Sequence, residues 1–234
     1  MWRVMGLVLL AGVVLAGIYP QQARLGAQVL GNGLRAPSVP EAAPWGAMGP
    51  EAGALVRAAE AQVGVTLSYD PAYVQLSYPG GDVPRDRGVC TDVLIRALRD
   101  GLGIDLQQAV HEDMRAAFAK YPKRWGLKKT DRNIDHRRVP NLEVFLTRAG
   151  AALPVSAEAR DYSAGDIVTA LFPDGQTHVM IVTNRSSGDG LRPLIVHNVG
   201  AGARVEDRLF EWQITGHFRL TAALVARLAG AVQR

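Results

Sequence analysis

Between residues 51 and 63 (EAGALVRAAEAQV) apolar side chains return every three or four positions, with Leu55, Val56, Ala59 and Val63 on one side, and that spacing predicts a helix. The same period recurs from Cys90 to about Leu102, where Val93, Leu94, Ala97 and Leu98 form the core face, and again from Leu106 to Lys120. A short helix from Asn141 to Arg148 follows Pro140. The intervening runs Tyr69-Asp70-Pro71 and Tyr78-Pro79-Gly80-Gly81-Asp82-Val83-Pro84 carry turn chemistry and read as loop. From Asp166 the period changes. Residues 167–172, 178–183 and 194–199 are short, rich in β-branched side chains and separated by Pro-Asp-Gly and Ser-Ser-Gly-Asp-Gly, which predicts a meander of antiparallel strands. Helices followed by a sheet make the chain α+β.

The amino end follows a different pattern. After Met1-Trp2-Arg3, the residues from Val4 to Ile18 include no charged side chain, the length of a signal-peptide core and short of the ~20 residues of a membrane span. Residues 1–20 therefore read as a signal peptide, or as an uncleaved N-terminal anchor since no crisp A-x-A site follows. The protein is expected to be exported to the periplasm or cell envelope and to touch the membrane only through that segment. Residues 21–50, rich in Gly, Ala and Pro, read as a flexible linker, and 51–234 as one domain with a sizeable core. The net charge of +4 admits attraction to an acidic polymer such as the cell wall. No basic stripe interleaved with aromatics points to nucleic acid, and a monomer is expected.

The chain has a single cysteine, Cys90, in Arg87-Gly88-Val89-Cys90-Thr91-Asp92, where an irregular stretch gives way to a helix. At a helix N-terminus, unpaired N–H groups and the macrodipole favour thiolate over thiol. With no partner for a disulfide in an oxidising compartment, the thiol is either buried as a small hydrophobe or used.

The imidazole that would activate it comes from the meander. His178 opens the second strand, and the third carries His197 and Asn198. If the intervening loop closes symmetrically on Gly188, facing residues have numbers summing to about 376, so His178 faces Asn198, or His197 after a slip of one. A thiol, a base and a polar residue that fixes the base's tautomer are the parts of a nucleophilic cysteine site: Cys90, His178 and His197, with Asn198 as the alternative third member.

The order of a helix-borne Cys90, then Gly165-Asp166-Ile167-Val168, His178-Val179-Met180-Ile181-Val182 and Ile195-Val196-His197-Asn198 resembles the NlpC-type branch of papain-like cysteine peptidases. More closely, the chain is similar to a bacterial family called domain of unknown function 1287. That similarity rests on 78–84, 87–92, Val110-His111-Glu112-Asp113-Met114, Asn133-Ile134-Asp135-His136-Arg137-Arg138-Val139-Pro140-Asn141-Leu142 and His197-Asn198-Val199-Gly200, and it spans about Ala54 to Leu220. The NlpC resemblance implies a papain-like fold and hydrolysis of amide bonds in peptidoglycan stem peptides, often at a D-γ-glutamyl linkage. Where that branch has Asp-Cys-Ser-Gly, this chain has Val89-Cys90-Thr91-Asp92, and a helical insertion containing Trp125 separates Cys90 from the sheet.

The remaining polar motifs supply candidate substrate-binding residues. His136 and Arg137 sit in a segment able to grip carboxylates or to dock the insertion by ion pairs. Tyr78 and Asp82 either line the cleft or make the Pro-Gly-Gly turn, and Asp92 suits the first turn of a helix. A zinc set of His178 and His197 with Asp92 or His136 lacks any H-E-x-x-H or paired-cysteine spacing, so no metal or other cofactor is expected. A non-catalytic binder of wall peptides and a thiol acyltransferase using the same residues are the alternatives to a hydrolase.

Overall fold

The computed structural model describes residues 44–231. Helix α1 (Pro50–Glu60) opens on a proline, which has no N–H to waste in the first turn, and buries Leu55, Val56 and Ala59. It stops short of the expected end at Val63, and the chain continues through turns into the two-residue β1 (Ser68–Tyr69), parallel to β2 (Arg87–Gly88). Helix α2 (Cys90–Leu102) is terminated by Gly103 in the left-handed conformation at φ 66°. Helix α3 (Leu106–Ala116) is capped by Asp105, whose carboxylate accepts the Gln108 N–H. The helix expected to reach Lys120 ends at Ala116, and Phe118–Lys120 forms a separate 3-10 turn. Helix α4 (Val139–Ala149) begins two residues before the expected Asn141, with Pro140 in its first turn.

Six antiparallel strands follow: β3 (Ala152–Leu153), β4 (Ile167–Leu171), β5 (Thr177–Ser186), β6 (Pro193–Asn198), β7 (Ala203–Glu206) and β8 (Gln213–Phe218), in the spatial order β3-β8-β4-β5-β6-β7. Helix α5 (Ala222–Ala231) closes the described chain. The mixed architecture agrees with the α+β expectation. The three expected strands are β4, β5 and β6, whereas β3, β7, β8 and α5 were not foreseen.

Alternation along the central strands separates two cores. Ile167, Val179, Ile181 and Val196 pack with Cys90, Val93, Leu94 and Ala97 of α2. Val168, Ala170, Met180, Val182 and Ile195 pack on the other face with Tyr162 and Leu209. Both faces are covered, so these strands read as nearly continuous apolar runs instead of alternating ones. The covering includes residues expected to be linker: Pro44 bridges Arg185, and the Trp45 indole N–H donates to the Tyr162 carbonyl at 2.8 Å. Residues 44–49 are thus docked, while 1–43, including the expected signal segment and most of the linker, lie outside the described residues. Among the described residues no helix is long and apolar enough to cross a membrane.

The β5–β6 register differs by one from the symmetric closure. Ile181 pairs with Val196 and Val182 with Ile195, and the register shifts between Val182 and Ser186. That irregularity removes both expected pairings of His178. His197 instead meets it diagonally across the hairpin, on the same face.

Candidate functional site

Cys90 occupies the first position of α2, as the sequence suggested, and lines a cleft of about 380 Å³ with Tyr69, Trp125, Ile134, Arg137, Arg138, Gln176 and Thr177. Its chemistry departs from expectation. The side chain is only 4% exposed, and burial pushes the thiol up to about 11, against the pull of the Val179 N–H and the first amides of α2. Asp92 adds to the upward push. Desolvation outweighs the helix terminus, and the resting sulfur is a thiol. Tyr69, coupled electrostatically to Cys90, is likewise pushed up to about 12, first by burial.

The helix start is held by buried polar contacts. The Asp92 carboxylate accepts the Val89 N–H at 2.7 Å and both Nε and Nη2 of Arg137 at 2.9 Å. Gly88 leaves room for it, since a Cβ there would lie 2.9 Å from Asp92. Asn198, weighed as a third catalytic member, points elsewhere: its Nδ2 donates to the carbonyls of Gly88 at 2.9 Å and Ser68 at 3.2 Å. It clamps the strand that delivers Cys90 and does not contact His178, because adjacent residues of β6 project to opposite faces.

Of the two candidates for third member, His197 is the one in contact with His178. His178 Nε2 lies 2.8 Å from His197 Nδ1, and His197 Nε2 lies 2.8 Å from the Glu206 carboxylate. A carboxylate only accepts, so His197 carries its proton on Nε2 and presents Nδ1 as an acceptor. His178 must then donate from Nε2, which leaves its Nδ1 bare. The tautomer of a base is set here two residues away. Phe172 stacks on His178 at 5.2 Å between ring centroids, and Trp212 lies 5.4 Å from His178 and 5.8 Å from His197, keeping water off the pair. Burial, and then the neighbouring His197, lowers His178 to about 3, and burial also lowers His197 against the opposing pull of Glu206.

Cys90 meets β5 at Val179, the residue next to His178. His178 pairs with Ala170 and projects toward the second core, so thiol and imidazole flank one peptide unit from the two sides of the strand. Among the described hydrogen bonds none joins Cys90 Sγ to His178. The expected pair is brought to adjacent residues without direct bonding.

Other candidates are placed differently. Tyr78 packs edge-on against His111, and Asp82 pairs with Arg96 at 3.0 Å and Arg99 at 3.3 Å, so neither lines the Cys90 cleft. His136 is buried outside that lining, lowered to about 3 first by burial and then by Arg137. Arg137 does line the cleft, but its guanidinium is committed to Asp92 and to the Ala72 and Asp70 carbonyls. With Asp92 so engaged, the zinc set weighed from the sequence does not assemble, and no three His, Cys, Asp or Glu among the described residues group to hold a metal. Arg138, part of the same carboxylate-gripping segment as His136 and Arg137, also lines the cleft, whereas Glu206, Trp212, Tyr69 and Trp125 were missed as site residues. Glu206 had a signal: Gly200 and Gly202 mark a tight return after His197, and a returning strand places a carboxylate within reach.

The family described as "Domain of unknown function (DUF1287)" matches residues 56–220. The chain belongs to the DUF1287 family. The matched span contains Cys90, His178, His197 and Glu206, so the cleft and the imidazole chain are parts of the family's domain. A relative from Escherichia coli (strain K12), "Uncharacterized protein YijF", is 54% identical over 166 residues, 71% of this chain and 80% of that protein. No solved structure matches the chain.

Proposed function

We propose that this DUF1287 protein is an exported cysteine amidase or peptidase of papain-like, NlpC-type architecture that cleaves amide bonds in peptidoglycan stem peptides in the periplasm. The observation that carries the reading is the Glu206–His197–His178 chain, whose donor and acceptor order leaves Nδ1 of a buried neutral imidazole free beside the strand residue that Cys90 touches. Because the thiol rests protonated and His178 lies across β5 from it, the reading requires the His178 ring to turn toward the Cys90 side, or a water to bridge the two, so that the proton passes to Nδ1 as Sγ attacks the carbonyl carbon. The imidazolium that forms is stabilised through His197 by Glu206. The first N–H of α2, from Cys90 itself, has no intrahelical partner and is available to the developing oxyanion. The C–N bond then breaks as His178 returns the proton to the leaving amine. Water attacks the thioester with His178 again as base.

A second reading, a non-catalytic binder of wall peptides, is favoured by one observation: a thiol 4% exposed and pushed up to about 11 is what an inert core cysteine looks like. Turnover separates the two. The amidase reading expects release of amine from purified stem peptides by the full chain, lost by roughly 10⁴-fold or more in Cys90→Ala with the melting temperature nearly unchanged. Equal activity in wild type and Cys90→Ala would sink it. The acyltransferase alternative is read in the same assay by adding an amine acceptor and looking for its acylated product.

A further inference from the structure

Two consecutive arginines line the cleft, and only one is occupied. Arg137 has its guanidinium tied to Asp92 and to two backbone carbonyls. Arg138 has one long contact, Nη1 to the Asp135 carboxylate at 3.4 Å, and Asp135 is itself engaged by the Asp131 N–H at 2.5 Å. The remaining donors of Arg138 have no protein acceptor among the described hydrogen bonds, although its side chain is only 18% exposed. Its Cζ lies over the Trp125 ring, 4.2 Å from the centroid, a cation–π contact that holds the guanidinium at the cleft without using its N–H donors. Burial lowers the affinity of Arg138 for its proton, so a nearby anion relieves a cost that the fold leaves standing.

We infer that Arg138, held over Trp125, is a specificity-determining clamp for a carboxylate of the substrate, so that the cleft takes acidic peptides and rejects their amidated forms. The fork of a planar guanidinium matches one carboxylate bidentately, a geometry a lysine does not provide. This rests on the amidase reading for its substrate, but the clamp itself is a binding property.

The test uses the full chain carrying Cys90→Ala and two probes: the tripeptide L-Ala-γ-D-Glu-L-Lys with free carboxylates, and the same tripeptide with every carboxylate amidated. Calorimetry is expected to give about tenfold or greater preference for the acidic probe, since charge-assisted hydrogen bonds to the guanidinium are at stake. Adding Arg138→Gln is expected to bring the ratio near one, and Arg138→Lys to leave an intermediate value. A ratio near one in the parent, an unchanged ratio in Arg138→Gln, or binding of neither probe overturns the inference. Wild-type turnover is scored separately. Selective binding without cleavage removes the amidase reading and keeps the clamp, while equal kcat/KM on both probes removes the clamp and keeps the amidase.

Discussion

The sheet carries two pairs of a buried histidine and a carboxylate, nearly the same in length and different in what lies beyond the ring. On β6 and β7, His197 Nε2 meets Glu206 at 2.8 Å, and His217 Nε2 on β8 meets Asp166, the residue just before β4, at 2.7 Å. What differs is the second ring nitrogen. In His217 it faces the Pro154 carbonyl at 3.1 Å, an acceptor that ends the chain, and Asp166 is further held by Arg219 and the Ser163 N–H. In His197 it faces His178, a group that can give up its hydrogen bond and change protonation state. A histidine–carboxylate pair thus becomes a device for orienting a base only when its far side ends on another titratable ring. Closed on a carbonyl, it is a brace between β3 and β4.

Breaking the brace is expected to have the largest effect on folding. Asp166→Asn leaves Arg219 and buried His217 without their shared carboxylate, and a loss of about 2–4 kcal/mol is expected in urea denaturation, reduced from the fully buried case because Arg219 is 41% exposed. A change below half a kilocalorie would mean that the cluster is ornamental. Glu206→Gln is expected to do the reverse: stability barely moves, but an amide, which can turn either Oε1 or Nε2 toward His197 Nε2, no longer pins the proton there, and His178 loses its single tautomer. Turnover of stem peptides should fall roughly 10–100-fold. The same variant with full kcat/KM would separate the relay from catalysis.

Acid gives the smallest and most graded contrast. His178 is held below its ordinary 6.5, so the unfolded chain binds a proton first, and the relay's share of stability is present near neutrality and lost as pH falls from about 6.5 toward about 3. Asp166 is buried, which alone raises its pKa, but Arg219, His217 and the Ser163 N–H outweigh that and lower it from 3.8. Its contribution is intact above 3.8 and disappears only below. A melting curve of wild type against pH should therefore begin to decline near pH 6.5, and His178→Gln should make that upper limb shallower while leaving the share of buried His136, which is also lowered to about 3. An upper limb equally steep in His178→Gln would assign all of it to other groups.

Much of this was readable from residue patterns, and the failures have physical causes. The helix starting at Cys90, the strands carrying His178 and His197, and the pairing of these three as candidates all follow from periodicity, because each lies in a long regular segment. Register did not follow, because the shift between Val182 and Ser186 is a property of the closed hairpin that no residue in the loop announces. The sequence leaves the thiol between a helix-terminus thiolate and a buried hydrophobe, and burial, a sum over Val93, Leu94, Val179 and other neighbours distant in sequence, decides it. Likewise Asn198 and His197 are adjacent letters, and only the pleat decides that one grips Gly88 and the other His178. Arg137 and Arg138 show the same limit, since their partners come from Asp92 and Trp125 on separate elements.

The claim at the centre of this account is that Glu206, acting through His197, presents His178 with a bare Nδ1. Nitrogen-15 NMR of the imidazole rings in the full chain at neutral pH measures it directly. The account predicts both His178 and His197 protonated on Nε2 alone, with a mixture of Nε2–H and Nδ1–H forms at His178 in Glu206→Gln. A wild-type His178 carrying its proton on Nδ1, or on both nitrogens, would contradict it.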